Sequence, residues 1–123
     1  MTTNIDLMLQ FIAAWEAKDV EGIVARMTPD AHYVNVGMSD SRGRDAIRAM
    51  LIPFVGGADQ IRWTVHHIAQ SADGAVFTER TDVFVMGPKT LTVPVTGICE
   101  FRSGLISAWR DYFDLPGFQA QMV

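Results

Sequence analysis

Asp111 lies in a strand-like run from Leu105 to Phe113 whose alternate residues are Leu105, Ser107, Trp109, Asp111 and Phe113. Side chains alternate across a sheet, so this carboxylate shares a face with an indole and a phenyl ring. A buried, unpaired carboxylate is costly, and the fold must give it a partner or a use. Arg80 and Asp82, two residues apart upstream, share one face of another strand and are the natural partners. Like charges this close do not both ionise easily, so one acid keeps a proton while the other keeps its charge. Tyr33 and Asn35 form a further i, i+2 pair, with His32, Val34 and Val36 on the opposite face. A phenol and an amide donate and accept without carrying charge. With Asp111 they would hold one water at three points while the carboxylate takes its proton. Asp82 would be the complementary acid, and Arg80 would bridge the two carboxylates.

Plainer readings compete with this one. Arg80 and Asp82 could form an ion pair on a solvated face, because the other face of their strand (Phe77, Thr81, Val83, Val85) is at least as apolar. Tyr33 and Asn35 taken alone are ordinary strand residues. Glu79, Glu100, Arg110 and Asp114 fall on opposite faces and belong to solvent or to a subunit contact. Cys99, the only cysteine, sits mid-strand without a nucleophile's neighbours and reads as core. His66 and His67 point to opposite sides of a strand and have no further ligand at metal spacing, so no metal is expected. No phosphate-binding glycine loop or dinucleotide fingerprint is present, and none of the serines has the setting of a nucleophile elbow.

The elements that must position these residues follow from periodicity. Ile5, Met8, Leu9, Ile12 and Trp15 recur at helical spacing after a capping Thr3, predicting a helix over Asn4 to Lys18. Asp19 caps a short second helix that turns Val20, Ile23, Val24 and Met27 inward, with Pro29 beyond its end. Ala31 to Val36 reads as a strand, and Arg44 to Leu51, extending toward Phe54 past Pro53, as a third helix closed by Gly56-Gly57. Four long strands follow, about Gln60 to Gln70, Ala75 to Met86, Lys89 to Phe101 and Leu105 to Phe113, separated by turn residues. Helices followed by a meander predict an α+β fold with helices on one face of the sheet.

The turns also set a register. A two-residue loop at Gly87-Pro88 pairs Met86 with Lys89, Asp82 with Val93 and Arg80 with Val95. A three-residue loop at Arg102-Ser103-Gly104 pairs Phe101 with Leu105, which sets Val95 opposite Asp111 and Gly97 opposite Trp109. Arg80 and Asp111 are then two strands apart, roughly 10 Å between backbones, a gap a long arginine and a short aspartate can close.

Composition bounds the rest. At 123 residues and 49% apolar, one domain spanning 1–123 can bury a sizeable core. Ten basic against fourteen acidic residues, with only Lys18 and Lys89 as lysines, leave no basic footprint for nucleic acid or an anionic membrane. No run approaches a membrane span and no export signal is visible, so a cytoplasmic protein is expected.

The segments His32-Tyr33-Val34-Asn35-Val36, Thr78-Glu79-Arg80-Thr81-Asp82 and Trp109-Arg110-Asp111-Tyr112-Phe113-Asp114-Leu115 resemble, in order and spacing, the limonene-1,2-epoxide hydrolase family across essentially the whole chain. The resemblance implies the cone-shaped α+β fold shared with nuclear transport factor 2 and ketosteroid isomerase. In that fold a strongly curved, mixed but mostly antiparallel sheet wraps a deep apolar pocket. It further implies a cofactor-free, one-step hydrolysis of a small apolar epoxide to a vicinal diol, with no covalent intermediate, usually in a homodimer. The family's acid–arginine–acid triad falls on Asp82, Arg80 and Asp111, and its water-holding tyrosine and asparagine fall on Tyr33 and Asn35. Phe84, Val93, Val95, Phe113 and Phe118 are the expected pocket walls, with Met50 and Trp63 beside them. Such bulky walls suit cyclic, aliphatic or aryl epoxides as well as limonene oxide. An isomerase or polyketide-cyclase-like enzyme on the same fold is the rival enzyme reading. A non-catalytic, dimeric small-molecule-binding module is the rival of another class.

Overall fold

The computed structural model describes residues 2–123. Its elements run α1 (Asn4–Glu16), α2 (Val20–Ala25), β1 (Met27–Asn35), β2 (Ser39–Arg42), α3 (Arg44–Gly57), β3 (Gln60–Gln70), β4 (Val76–Met86), β5 (Lys89–Arg102), β6 (Leu105–Phe113) and α4 (Leu115–Met122). Thr3 opens α1 with a reciprocal capping box to Asp6, and Met8, Phe11, Ile12 and Trp15 form its buried stripe. The helix stops at Glu16, short of the expected Lys18. Lys18 adopts a left-handed backbone (φ 55°), and its ammonium donates to the Ala58 carbonyl at 3.0 Å. Asp19 caps α2 by accepting from the Gly22 amide. α3 continues to Gly57, beyond the expected end at Leu51 or Phe54. Pro53 removes one internal hydrogen bond, but burial of Ile47, Leu51 and Val55 along one face carries the helix through.

Strand β1 begins at Met27 rather than Ala31, with a pairing irregularity between Met27 and His32 that accommodates Pro29. Two elements have no counterpart among the sequence expectations. β2 is the polar tetrapeptide Ser39-Asp40-Ser41-Arg42, held in a hairpin with β1 through a loop in which Gly37 has φ 84°. α4 begins with Leu115 and Pro116 and is capped by Asp114, whose side chain accepts from the Gly117 amide. Its polar residues and first-turn glycine hide the helical signal.

The six strands form one sheet in the order β2-β1-β6-β5-β4-β3, strongly curved but not closed. All neighbours are antiparallel except β1 and β6, which run parallel. The pairing of β4 with β5 places Met86 against Lys89, Asp82 against Val93 and Arg80 against Val95, as the turn at Gly87-Pro88 predicts. β5 and β6 differ from the expected register. Arg102 pairs with Leu105, leaving Ser103-Gly104 as a two-residue turn with both φ positive, and a bulge follows between Glu100 and Phe101. Each irregularity moves the register one residue in the same direction. Gly97 therefore faces Asp111, not Trp109, and Val95 faces Phe113, not Asp111. Because the total is two, every side chain of β6 stays on its expected face.

The core lies between the inner face of the sheet and the helices and is unusually aromatic. Trp15 of α1 stacks on Trp63 of β3 at 4.6 Å between centroids, and Phe11 and Trp15 meet Trp109 of β6 edge-on at 4.8 and 5.6 Å. Such contacts add to the burial of large rings and fix the α1–sheet distance.

Candidate active site

Arg80 is the centre of a buried cluster. Its Nε donates to Asp82 Oδ1 at 3.0 Å and its Nη2 to Asp82 Oδ2 at 2.9 Å, a fork on one carboxylate. The same Nη2 donates to Asp111 Oδ2 at 3.0 Å, and Nη1 donates to the hydroxyl of Thr78 at 3.0 Å. The guanidinium side chain is fully buried and the two carboxylates are 4% and 6% exposed, which overturns the solvated ion-pair reading. Thr78, Arg80 and Asp82 share the inner face of β4, and the ring of Trp63 from β3 lies 4.5 Å from the guanidinium carbon. Gly97 makes the convergence possible. A Cβ there would stand 2.4 Å from Asp111 Oδ1 and 2.6 Å from Arg80 Nη1, so the missing side chain admits the ion pair, not the indole.

Asp111 has a second donor. Trp109 Nε1, two residues back on the same face, donates to Asp111 Oδ1 at 2.8 Å. An indole N–H is a donor only, so this contact favours the ionised carboxylate. The parallel pairing of β1 with β6 sets Tyr33 beside Trp109 and Asn35 beside Asp111. The Tyr33 ring stacks on Trp109 at 4.1 Å with 7° between planes, and its hydroxyl donates to Asn35 Oδ1 at 3.3 Å. Asn35 Nδ2 in turn donates to Ser39 Oγ at 3.0 Å. All five expected positions thus meet at one place as two hydrogen-bonded side-chain groups, Arg80 with the two acids and Tyr33 with Asn35, brought side by side by the β1–β6 pairing and the Tyr33–Trp109 stack. Thr78, Trp109 and Ser39 join them without having been singled out. Thr78 and Trp109 carry the i, i+2 signal relative to Arg80 and Asp111, whereas Ser39 depends on the hairpin and has no such signal.

Burial dominates the electrostatics. It raises Asp82 to about 6, against the hydrogen bonds and charge of Arg80, while the charge of Asp111 adds to the rise. Burial also raises Asp111, offset by the charge and hydrogen bond of Arg80 and by the Trp109 donor. Burial works against the charge of Arg80, but Asp111 and Asp82 together hold its pKa above the ordinary arginine value. Tyr33 is pushed well up by burial and then by the Asp111 charge, so it stays a neutral phenol. A guanidinium with two buried carboxylates that both resist ionisation can store and release one proton near neutrality.

The acids open onto a cavity of about 220 Å³. Asp82, Asp111, Tyr33 and Asn35 supply its polar edge, and Arg80 stands behind the acids, outside the lining. Phe84, Val93 and Val95 line it from β4 and β5, Phe113 and Phe118 from β6 and α4, and Met50 and Trp63 from α3 and β3, as expected for each. Trp15, Met38 and Phe54 complete the wall, and these were not expected there. No lysine or arginine side chain lines the cavity, so it is shaped for an uncharged, mostly apolar molecule with one polar group at the acid edge. Cys99 is buried, and burial, then the Asp111 charge, raises its thiol pKa far above the ordinary value, leaving it inert. His66 pairs with the Thr81 hydroxyl at 2.8 Å and His67 lies 3.9 Å from Glu79; the register shift between Val65 and His67 puts both on the face away from the acids, not on opposite faces as strict alternation predicts. Among the described residues no His, Cys, Asp and Glu group has metal-site geometry.

Comparison with known proteins gives this geometry a lineage. The family described as limonene-1,2-epoxide hydrolase catalytic domain matches residues 2–123. The epoxide hydrolase EphG of Mycobacterium tuberculosis is 38% identical over 106 residues, covering 85% of this chain and 69% of that protein. A solved M. tuberculosis LEH-like epoxide hydrolase superposes with a TM-score of 0.84 at 31% identity, over 96% of this chain and 87% of the other. A protein with a ketosteroid isomerase-like fold from Catenulispora acidiphila superposes with a TM-score of 0.83 at 19% identity, over 94% and 91%, a likeness of fold alone. With a family match over residues 2–123 and a 38%-identical relative, the chain belongs to the limonene-1,2-epoxide hydrolase family.

Proposed function

We propose that the chain, acting as one domain, is a cofactor-independent epoxide hydrolase that adds water in a single step and releases a vicinal diol. Asp111 takes a proton from a water held by Tyr33 and Asn35 as its oxygen attacks an epoxide carbon. The carbon–oxygen bond of the ring breaks, and the departing oxygen takes the proton of Asp82. Each turnover therefore leaves Asp111 protonated and Asp82 ionised, and one proton moved from the first to the second restores the starting state. Arg80 touches both acids and keeps the pair at one shared proton. The observation that carries this reading is the single guanidinium nitrogen donating to both carboxylates at the edge of an apolar cavity. An isomerase needs a carboxylate facing a carbon-bound proton and a separate donor for an enolate oxygen; two arginine-bridged acids beside a phenol–amide pair suit hydrolysis better. A binding module would gain nothing from ionisable groups whose burial is costly.

The substrate class is an uncharged epoxide with apolar cyclic, aliphatic or aryl substituents, matched to the aromatic and thioether wall. The working unit is a homodimer. Phe77, paired with partly buried Ile98, and Tyr112, paired with Thr96, are 40% and 44% exposed on the outer face of the sheet and are the large apolar side chains there that a second copy would cover. Single turnover of an epoxide panel in oxygen-labelled water tests the chemistry. Label should enter the diol and no protein carboxylate, and Asp82→Asn and Asp111→Asn should each lower kcat by at least about a hundredfold. Label in Asp82 or Asp111 would establish an ester intermediate and discard the one-step route.

A further inference from the structure

Ser39 belongs to β2, the short polar edge strand whose composition gives no reason for its presence at the site. It is the cross-strand partner of Asn35, across the loop Val36-Gly37-Met38, and its half-buried hydroxyl receives the Asn35 amide at 3.0 Å. On the other side of that amide the buried Tyr33 hydroxyl has Asn35 Oδ1 as its acceptor at 3.3 Å. In this sense of the amide the Ser39 hydroxyl acts as acceptor, with Nδ2 toward Ser39 and Oδ1 toward Tyr33.

The sense matters chemically. A water that attacks carbon must give its hydrogens to acceptors and keep a lone pair free. Asp111 can accept one hydrogen and Asn35 Oδ1 the second; the Tyr33 hydroxyl, its one hydrogen turned from Asn35 Oδ1 to the water, donates to one lone pair and the other lone pair reacts. With the amide reversed, Nδ2 and the phenol would both donate to the water. Both lone pairs would then be engaged and one hydrogen would have no acceptor. We infer that Ser39 is a positioning residue that turns the Asn35 carbonyl toward the nucleophilic water, an inference resting on the water-cradle reading above.

The hairpin itself does not need the hydroxyl, since its register is held by backbone pairing and by the Met38 amide donating to the Asn35 carbonyl at 2.8 Å. Ser39→Ala should therefore keep the fold while lowering kcat about tenfold, with KM unchanged within about twofold. Ser39→Thr, which keeps an acceptor oxygen at the same carbon, should recover to within about threefold of wild type. An activity-independent readout accompanies this. The Asn35 side-chain amide resonances, assigned by their loss in Asn35→Ala, should be protected from hydrogen exchange in wild type and in Ser39→Thr, and unprotected in Ser39→Ala. Wild-type kcat in Ser39→Ala, or unchanged amide protection there, overturns the assignment to Ser39. A wild type inactive on every epoxide removes the hydrolase reading instead, and the amide protection still decides whether Ser39 holds Asn35.

Discussion

A guanidinium shared by two carboxylates sets a proton count. With both acids ionised the Arg80, Asp82 and Asp111 cluster carries a net charge of −1 in a buried setting, and with one proton it is neutral. The cluster therefore favours the singly protonated state, and Asp82 gives up its proton only at about pH 6. kcat/KM should follow a bell whose alkaline limb falls through about pH 6 and whose acid limb reflects protonation of Asp111. The same shift governs stability. Asp82 binds its proton more tightly folded than unfolded, so its contribution is full below about 3.8 and is lost as pH rises through about 6. Asp82→Asn should abolish that decline. Thermal melts of wild type and variant at intervals from pH 4 to pH 8 measure it, and parallel curves would contradict the shared-proton account.

Among the elements, β5 decides whether the cluster can exist at all. Gly97 stands opposite both Thr78 and Asp111, and Arg80 crosses over it to reach the second acid. Gly97→Ala should separate Arg80 from Asp111. Breaking a buried charged hydrogen bond typically costs about 3 kcal/mol, read as a fall in the urea midpoint together with loss of turnover. Retention of both would place the close approach elsewhere. Alternation alone put Asp111 on the apolar face of β6 and Arg80 with Asp82 on one face of β4, but it did not say which face of β4 is buried, because Phe77, Thr81, Val83 and Val85 make the other as apolar. The pairing of Gly97 was not legible, because the two-residue turn at Ser103-Gly104 and the bulge at Glu100 follow from local backbone twist rather than from side-chain type. β2 and α4 were hidden for a related reason: Ser39 to Arg42 and Leu115 to Met122 have weak intrinsic preferences and adopt structure because β1 and β5 offer partners. Gln121 of α4 shows this directly, its side-chain amide exchanging hydrogen bonds of 2.8 and 2.9 Å with the backbone of Thr92.

For the whole molecule, the outer face of the sheet predicts the assembly. Sedimentation at micromolar concentration should give twice the chain mass, and Phe77→Glu with Tyr112→Glu should give monomers that retain the fold; a monomeric wild type would refute the pairing. No helix among the described residues is long and apolar enough to cross a membrane. The parallel pairing of β1 with β6 sets Asn35 beside Asp111 although 75 residues separate them, counted from 36 to 110, so the site's two halves come from elements distant in the chain. With β6 not yet docked on β1, the proposed water-holding phenol and amide stand without the proposed base, and an epoxide would meet no activated solvent there. Turnover is consequently an all-or-none reporter of the native state, and its denaturant melting curve should coincide with the fluorescence of Trp15, Trp63 and Trp109.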